Sequence, residues 1–220
     1  EILRCLVGSE MCIRDRKGLI CIPSGNHDMD RLARRLQGDE LKIAFAFLLS
    51  MPGAPFIYYG DEIGMRYVEG LKSVEGGYNR TGSRSPMQWD DSKNAGFTTG
   101  TPWIKVNPNY VHVNAKQQVG DPDSVFSYYR KLIRLRHENE IIVYGDYELL
   151  EPENEELFIY TRTLGGERLM VLCNFTDRDV VIPASVTGQI TDAQIMICNY
   201  VGKMESLLRP YEARVYRYEV

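Results

Sequence analysis

The sequence has no excess of basic residues and no long apolar run. Its 26 lysines and arginines are outnumbered by 30 aspartates and glutamates, which gives a net charge of −4. This balance argues against a nucleic-acid partner. The 220 residues contain no run of 18 apolar ones, so we expect no membrane-spanning helix and no membrane partner. No apolar stretch follows a basic start, so we predict no secretory signal.

Metal-binding patterns are also absent. The five cysteines are odd in number and match no metal motif, and no group of oxygen ligands resembles a calcium loop. We therefore predict no cofactor and no metal. Buried, unpaired thiols in a reducing compartment are the favoured interpretation, which implies a cytoplasmic protein. A disulfide between Cys173 and Cys198 is the alternative. The other cysteines are Cys5, Cys12 and Cys21.

The first residues do not fit the rest of the chain. Residues 5–16 resemble the translation of sequencing-adaptor DNA, a contaminant of short-read assemblies, and they have neither a helical nor a strand period. We predict that residues 1–16 are a non-native segment and that the biological sequence resumes near Lys17. The alternative is a genuine N-terminal segment.

The next part of the chain has the pattern of a parallel α/β fold. Two apolar runs, residues 18–23 and 55–60, predict buried strands. Between them, residues 32–37 predict a short helical stretch. A longer helix is predicted to begin at Asp39 and to end at Pro52, and because it is apolar nearly all round it should be deeply buried. Strand, helix and strand in this order predict a βαβ unit.

A long irregular segment, residues 66–123, follows the second strand, and loops of this length are usually functional. Residues 121–124 then predict the N-terminal cap of an amphipathic helix that begins at Val125. From about Gly145 the apolar period changes to two. Candidate strands cover residues 146–151, 156–164, 167–174, 178–182, 193–198 and 212–219. This spacing predicts an antiparallel β-sandwich domain.

The most informative stretch is Ser24–Asp28, which directly follows the first predicted strand. Asn26, His27 and Asp28 would project beyond the carboxyl end of that strand, the edge where parallel barrels carry their chemistry. A histidine beside an aspartate can bind two neighbouring hydroxyls, one as donor and one as acceptor, and adjacent sugar hydroxyls present this target. The alternative is plain turn chemistry, because Asn and Asp hydrogen-bond their own backbone.

Four motifs in order resemble the α-amylase superfamily of retaining glycoside hydrolases, glycoside hydrolase family 13. The first is the strand that ends at Asn26–Asp28. Gly53–Met65 looks like the eighth barrel strand and its exit, and Asn79–Asp90 resembles a loop of oligo-1,6-glucosidases and related α-glucosidases. Tyr129–Arg136 looks like the last barrel helix. The resemblance covers roughly residues 17–220.

The resemblance implies an α/β plus β fold. Residues 17–140 would be the C-terminal portion of a (β/α)₈ TIM barrel, with its last two strands and helices, and residues 141–220 would be the antiparallel β-sandwich domain. Such barrels need about 250 residues, so the chain would be a C-terminal fragment. The implied parent enzyme is an α-glucosidase that acts on short α-glucans, with an oligosaccharide as its substrate. The oligomeric state is left open.

The resemblance also implies roles for individual residues. Asp28 would be the family's third, transition-state-stabilising carboxylate, and His27 would bind the same sugar. The substrate-binding candidates are His27, Arg80, Arg84, Asn26 and Arg31. For Arg80 and Arg84 the alternative is a structural salt bridge that holds the long loop, and Arg31 either supports Asp28 or only starts the following helix. The nucleophile and the acid/base lie at the ends of barrel strands four and five, which this sequence lacks, so the chain alone is predicted to be inactive.

Several neighbouring residues receive other interpretations. Asp61 and Glu62 are adjacent acids at a strand end, but the resemblance implies a structural role for both. Trp89 and Tyr78 are either stacking platforms for sugar rings or core residues. Trehalose synthases and sucrose-acting transglycosylases of the same family are an alternative function. A non-catalytic barrel relative that serves as a partner subunit is an alternative of another class.

Overall fold

The computed structural model describes residues 19–72, 80–202 and 206–220. Several predictions lie outside these residues: the non-native segment 1–16, the resumption at Lys17, the thiols of Cys5 and Cys12, and Tyr78. They remain predictions.

Two short parallel strands form the first part of the fold. Strand β1 (Cys21–Pro23) pairs with strand β2 (Ala54–Phe56), and Ile22 lies opposite Pro55. The predicted βαβ unit is therefore confirmed. The prediction that both strands are buried is wrong, because Cys21, Pro23 and Phe56 are exposed. Within the described residues each strand has only the other as a neighbour, so one backbone edge of each is not paired with a strand.

Helix α1 (Asp39–Ser50) connects the two strands and is buried as predicted. It follows a single 3₁₀ turn at Leu32–Arg34, shorter than the helical stretch predicted over residues 32–37. The Phe45 ring meets the Tyr129 ring edge-on at 5.0 Å between centroids. On another side, the Ser50 hydroxyl lies 2.7 Å from the Tyr160 hydroxyl. Apolar partners on several sides account for the nearly continuous apolar sequence of this helix.

Helix α2 (Ala115–Gly120) lies within the segment that was predicted to be irregular, residues 66–123. Two helices follow this segment, α3 (Val125–Glu138) and α4 (Glu140–Tyr144). The predicted cap is confirmed, because the Ser124 hydroxyl accepts the N–H of Ser127 at 3.1 Å. Arg136 turns back from α3 and donates to the carbonyls of Leu49 and Met51 at 2.8 and 3.0 Å. Helix α3 is thereby fixed to the C-terminal end of α1.

The rest of the chain forms an antiparallel sheet domain. Its elements are β3 (Asp146–Leu150), β4 (Leu157–Leu164), β5 (Glu167–Asn174), β6 (Val180–Val181), helix α5 (Ala184–Thr187), β7 (Gln194–Cys198), β8 (Leu207–Leu208) and β9 (Ala213–Glu219). Five strands pair in the order β3-β4-β5-β9-β7, and β6 pairs with β8. The predicted antiparallel character is confirmed. The second layer is a two-stranded ribbon rather than a sheet of equal size.

Both faces of the five-stranded sheet are covered. Tyr160, Val171 and Val215 belong to one core with helices α1 and α3. Their strand neighbours Ile159 and Leu172 belong to a second core with the ribbon β6-β8 and helix α5. Because side chains alternate across a strand, this sheet joins the helical part of the chain to its outer layer.

The cysteines are only partly as predicted. Cys173 and Cys198 are free, so the alternative of a disulfide between them is wrong. Cys173 is buried, and burial raises the pKa of its thiol to about 12. Cys21 contradicts the prediction of buried thiols, because it lies on strand β1 and is exposed.

A buried charge network lies in the turn between strands β8 and β9 and at the start of β9. The Glu212 carboxylate is fully buried. It accepts hydrogen bonds from the Arg209 and Arg214 side chains at 2.9 and 2.6 Å. The backbone N–H of Arg209 donates to it at 2.8 Å. Burial raises the pKa of Glu212, but these donors outweigh that effect and hold the pKa at about 2.

This network predicts a specific acid sensitivity. Because the folded pKa of Glu212 lies below its ordinary value of 4.5, the network stabilises the fold above pH 4.5. That contribution, roughly 3 kcal/mol, is lost as the pH falls towards 2. Urea unfolding of the chain at pH 7 and pH 3 should therefore show a smaller pH dependence for Glu212→Gln. An identical pH dependence in variant and wild type would contradict the assignment.

Candidate active site at the end of strand β1

The exit from strand β1 is tied to the neighbouring strand. The Ser24 N–H donates to the carbonyl of Phe56 at 2.8 Å. The Ser24 hydroxyl donates to the Asp61 carboxylate at 2.7 Å and accepts the N–H of Tyr58 at 3.0 Å. The backbone that leads to residues 26–28 therefore begins from a fixed point.

Residues 26–28 form a tight turn beyond this point. The Asn26 side-chain oxygen accepts the N–H of Asp28 at 2.8 Å, so the turn chemistry weighed for this stretch is present. Asn26 shapes the turn, while the side chains of His27 and Asp28 are 64% and 46% exposed. Their nearest atoms, His27 Nε2 and Asp28 Oδ2, are 3.4 Å apart. A donor and an acceptor are thus presented together to solvent.

Two arginines from a distant loop reach the Asp28 carboxylate. They flank and end the 3₁₀ turn Thr81–Arg84. Arg80 Nη1 lies 2.5 Å and Arg84 Nη2 lies 3.0 Å from Asp28 Oδ1. Arg84 Nε also donates to the carbonyl of His27 at 3.0 Å. The structure therefore brings together four of the predicted site residues from positions more than 50 apart in the chain.

The arginines keep Asp28 ionised. Partial desolvation raises the pKa of this carboxyl. The hydrogen bond from Arg84, the charges of Arg80 and Arg84, and the neighbouring His27 side chain outweigh that effect, so the pKa lies below its ordinary value. A carboxylate of this kind accepts hydrogen bonds and stabilises a nearby positive charge. It does not hold a proton at neutral pH, which suits an electrostatic role better than general-acid catalysis.

Arg31 does not contact Asp28, and its assignment as a substrate-binding residue stays a prediction. It is only 2% exposed. Its Nη1 atom lies 2.6 Å from the carbonyl of Tyr59 and 3.4 Å from Asp61 Oδ1. The guanidinium also lies over the rings of Tyr58 and Tyr59, at 4.8 and 4.7 Å from their centroids. Arg31 therefore contacts the segment that follows strand β2, and its side chain is buried rather than presented beside His27 and Asp28.

Asp61 and Glu62 stay out of the candidate site. Asp61 is fully buried between Ser24 and Arg31. Desolvation raises the pKa of Asp61 above its ordinary value. The hydrogen bond from Ser24 and the charge of Arg31 lower this pKa, but they do not cancel the effect of desolvation. Desolvation also raises the pKa of Glu62. Trp89 is 53% exposed, and its stacking role remains a prediction. Among the described residues, no group of three or more His, Cys, Asp or Glu side chains has the geometry to hold a metal.

Comparison with known proteins identifies the family. The model of the alpha-amylase catalytic domain matches residues 12–145, and that of the maltogenic amylase C-terminal domain matches residues 147–195. The chain belongs to the alpha-amylase family. The predicted resemblance is therefore confirmed, and the site at Asp28 lies within the part that matches the catalytic domain.

Individual members of the alpha-amylase family match most of this chain. An oligo-1,6-glucosidase from Parageobacillus thermoglucosidasius is 40% identical over 91% of the chain and 43% of its own length. A trehalose-6-phosphate hydrolase structure from Bacillus licheniformis matches with a TM-score of 0.84 at 30% identity, over 99% of this chain and 46% of that one. An isomaltulose synthase structure from Klebsiella sp. LX3 matches at 30% identity with a TM-score of 0.76, over 90% and 42% of the two chains.

The chain thus spans less than half the length of these alpha-amylase family relatives, as the prediction of a fragment requires. In the described residues, no helix is both long and apolar enough to cross a membrane.

Sequence reasoning missed the residues that hold the arginine loop in place. The Tyr58 and Tyr59 hydroxyls donate to the carbonyls of Ser83 and Ser85 at 3.2 and 2.7 Å. A Cβ atom on Gly82 would lie 2.3 Å from a backbone oxygen, so only glycine fits there. The sequence did contain a signal, which is the pair of adjacent tyrosines in the second predicted strand, residues 55–60. Neighbouring side chains of a strand point to opposite faces, so at most one of the two tyrosines was expected in the core. In this alpha-amylase family chain, they connect the loop to the β2 exit.

Proposed function

We propose that this chain is the C-terminal part of a retaining α-glucosidase that acts on short α-glucans, of the oligo-1,6-glucosidase type. The supporting observation is the exposed, ionised carboxylate of Asp28, held by Arg80 and Arg84 at the carboxyl end of strand β1. Parallel barrels place their catalytic groups at this end. A 40% identical relative named oligo-1,6-glucosidase supports the substrate class.

Asp28 is assigned to transition-state stabilisation. Both arginines contact Oδ1, whereas Oδ2 faces His27. We assign Oδ2 and the His27 imidazole to two neighbouring hydroxyls of the bound sugar. As the sugar ring flattens and gains positive charge, hydrogen bonds from its hydroxyls to an ionised carboxylate become stronger. Interactions that strengthen in this way lower the barrier, whereas uniform binding does not.

The remaining candidates position these two groups. Asn26 sets the turn that presents Asp28, and Arg84 fixes the carbonyl of His27. Arg80 is the better candidate for direct sugar contact. Its side chain is 30% exposed, against 20% for Arg84, so more of the Arg80 side chain is accessible to a ligand. Arg31 would act indirectly, because it donates to the Tyr59 carbonyl in the segment that follows strand β2 and does not contact Asp28.

The nucleophile and the acid/base are assigned to parts of the parent enzyme outside this chain. In a retaining glycosidase, two carboxyl groups about 5–5.5 Å apart form and hydrolyse a covalent glycosyl-enzyme intermediate. Asp28 alone cannot replace them. The chain by itself should therefore release no sugar from a glycoside, although it carries part of the sugar site.

Sucrose- or trehalose-acting isomerisation is the second candidate. The similarity to an isomaltulose synthase structure, with a TM-score of 0.76, supports this second candidate function. Hydrolysis and isomerisation share the glycosyl-enzyme intermediate and differ in whether water or a sugar hydroxyl attacks it. In either case Asp28 and His27 would stabilise the transition states that lead to and from this intermediate.

A substrate panel separates these functions. We expect the complete enzyme to release glucose from isomaltose and maltose and to leave sucrose and trehalose largely unchanged, as followed by chromatography of the products. The 220-residue chain is the negative control. Rearranged disaccharides from sucrose or trehalose would support the second candidate. Absence of turnover on all four sugars would favour a non-catalytic relative and contradict the proposal.

A further inference from the structure

A cavity of about 470 Å³ lies between helix α3 and strand β7, lined by residues to which no role has been given above. Its charged lining comes from Arg130, Lys131, Arg134 and Glu138. Its apolar lining comes from Leu135, Met196 and Ile197, and Asn139 completes it. The cavity thus combines a positive wall with an apolar one, at the junction of the helical part and the sheet domain.

The positive charges are poorly compensated. In residues 19–72, 80–202 and 206–220, neither Arg130 nor Lys131 has an ion-pair partner. Arg134 Nε lies 3.8 Å from Glu138 Oε1, a long and exposed pair. Such pairs contribute little, so an anionic group that enters the cavity would compete with one weak contact only.

Strand β7 is bulged where it lines the cavity. Ile195 lies opposite Tyr216 and Ile197 lies opposite Val215, so Met196 is an extra residue. Neighbouring side chains of a regular strand point to opposite faces, yet Met196 and Ile197 both line the cavity. Bulges redirect side chains in this way.

The same bulge argues against a peptide ligand. Strand β7 lies at the edge of the five-stranded sheet, where an extended segment could add as a further strand. A bulge disrupts the regular backbone pairing that such addition needs. The arrangement of charged and apolar walls therefore suits a compact molecule better than a strand.

We propose that this cavity binds a small organic phosphate of sugar-phosphate size. Arg130, Lys131 and Arg134 hold the phosphate, because guanidinium and ammonium groups bind its oxygens through charge-assisted hydrogen bonds. The apolar face of the carbon skeleton packs against Met196 and Ile197. Since α3 and β7 belong to different parts of the fold, the ligand connects them. This site is independent of the role proposed for Asp28.

Calorimetric titration of the complete enzyme tests the site. We expect glucose 6-phosphate to bind more tightly than inorganic phosphate, and glucose not to bind at the cavity. The Arg130→Gln/Lys131→Gln variant should weaken glucose 6-phosphate binding on the order of tenfold or more. The control Lys116→Gln removes an exposed lysine whose contact with Asp91 is 3.4 Å long, and it should leave binding unchanged. kcat should be the same in all three proteins.

Three results would overturn the proposal. Equal binding by the double variant and the wild type would place the phosphate elsewhere, including the substrate site. Equal affinity for inorganic phosphate and glucose 6-phosphate would show that the apolar wall contributes nothing. Absence of binding at millimolar ligand, in an enzyme that is folded and active, would remove the site altogether.

Discussion

In the complete enzyme, the Asp28→Asn variant is expected to lose about 10²- to 10³-fold in kcat. The amide keeps the size and shape of the side chain but removes its negative charge. Hydrogen bonds to the substrate in its ground state change little, whereas those that strengthen with the developing positive charge are lost. kcat and kcat/KM should therefore fall together with little change in KM, as measured by steady-state kinetics on isomaltose.

Asp30→Asn is the matched control for this variant. Asp30 lies two residues further along, is exposed, and forms an ion pair with Arg34 at 2.5 Å, the same length as the Asp28–Arg80 pair. Its replacement removes one carboxylate and one arginine contact without touching the proposed sugar site, so kcat should be unchanged. Normal turnover by Asp28→Asn, or an equal loss in both variants, would require the assignment of Asp28 to be abandoned.

The local parts of this site were predictable from sequence. An apolar run that ends in Asn-His-Asp indicates both a strand end and an exposed polar turn, and the structure has both. The approach of Arg80 and Arg84 was not predictable from spacing, because more than 50 residues separate them from Asp28. Only the resemblance to a family suggested it. Long loops have no period that indicates where they return.

Buried arginines were the main gap in the sequence reasoning. Arg31, Arg162 and Arg214 are among the largest fully buried side chains. Charged residues are almost never fully buried unless they are paired, so a pattern of apolar positions places them outside the core. Arg31 is buried beside Asp61, 30 positions further along the chain, whereas Arg214 pairs with Glu212, two positions away. The pattern of apolar residues indicates which positions are buried, but it does not indicate which charged residues form buried ion pairs.

The burial of the parallel strands was the other gap, and it has a different cause. Two buried strands were expected, yet Leu19 and Phe56 are exposed. Beside them, Ile57, Tyr129 and others line an open cavity of about 400 Å³ between β2 and α3. The apolar sequence is that of strands with neighbours on both sides. We propose that the other strands of the parent barrel cover this surface.

The ion pair between Arg31 and Asp61 is expected to carry the largest stability effect in the helical part. Both side chains are fully buried. Asp61→Asn leaves the guanidinium of Arg31 buried without its counter-charge, which costs about 3–5 kcal/mol in the free energy of unfolding. The tyrosine rings and the Tyr59 carbonyl contact this guanidinium, but they supply no full negative charge. Urea unfolding followed by circular dichroism measures the loss.

Two comparison variants make this result interpretable. Asp30→Asn removes an exposed pair and should cost less than about 1 kcal/mol. Arg31→Met combined with Asp61→Asn removes both charges, and it should recover much of the loss because no unpaired charge stays buried. If the double variant is as unstable as Asp61→Asn alone, packing or the hydrogen bond from Ser24 to Asp61 dominates instead. Equal costs for Asp61→Asn and Asp30→Asn would show that burial of the pair has no consequence. Since Ser24 and Arg31 both fix the backbone around Asp28 through Asp61, the stability of this pair and the geometry of the proposed sugar site depend on the same contact.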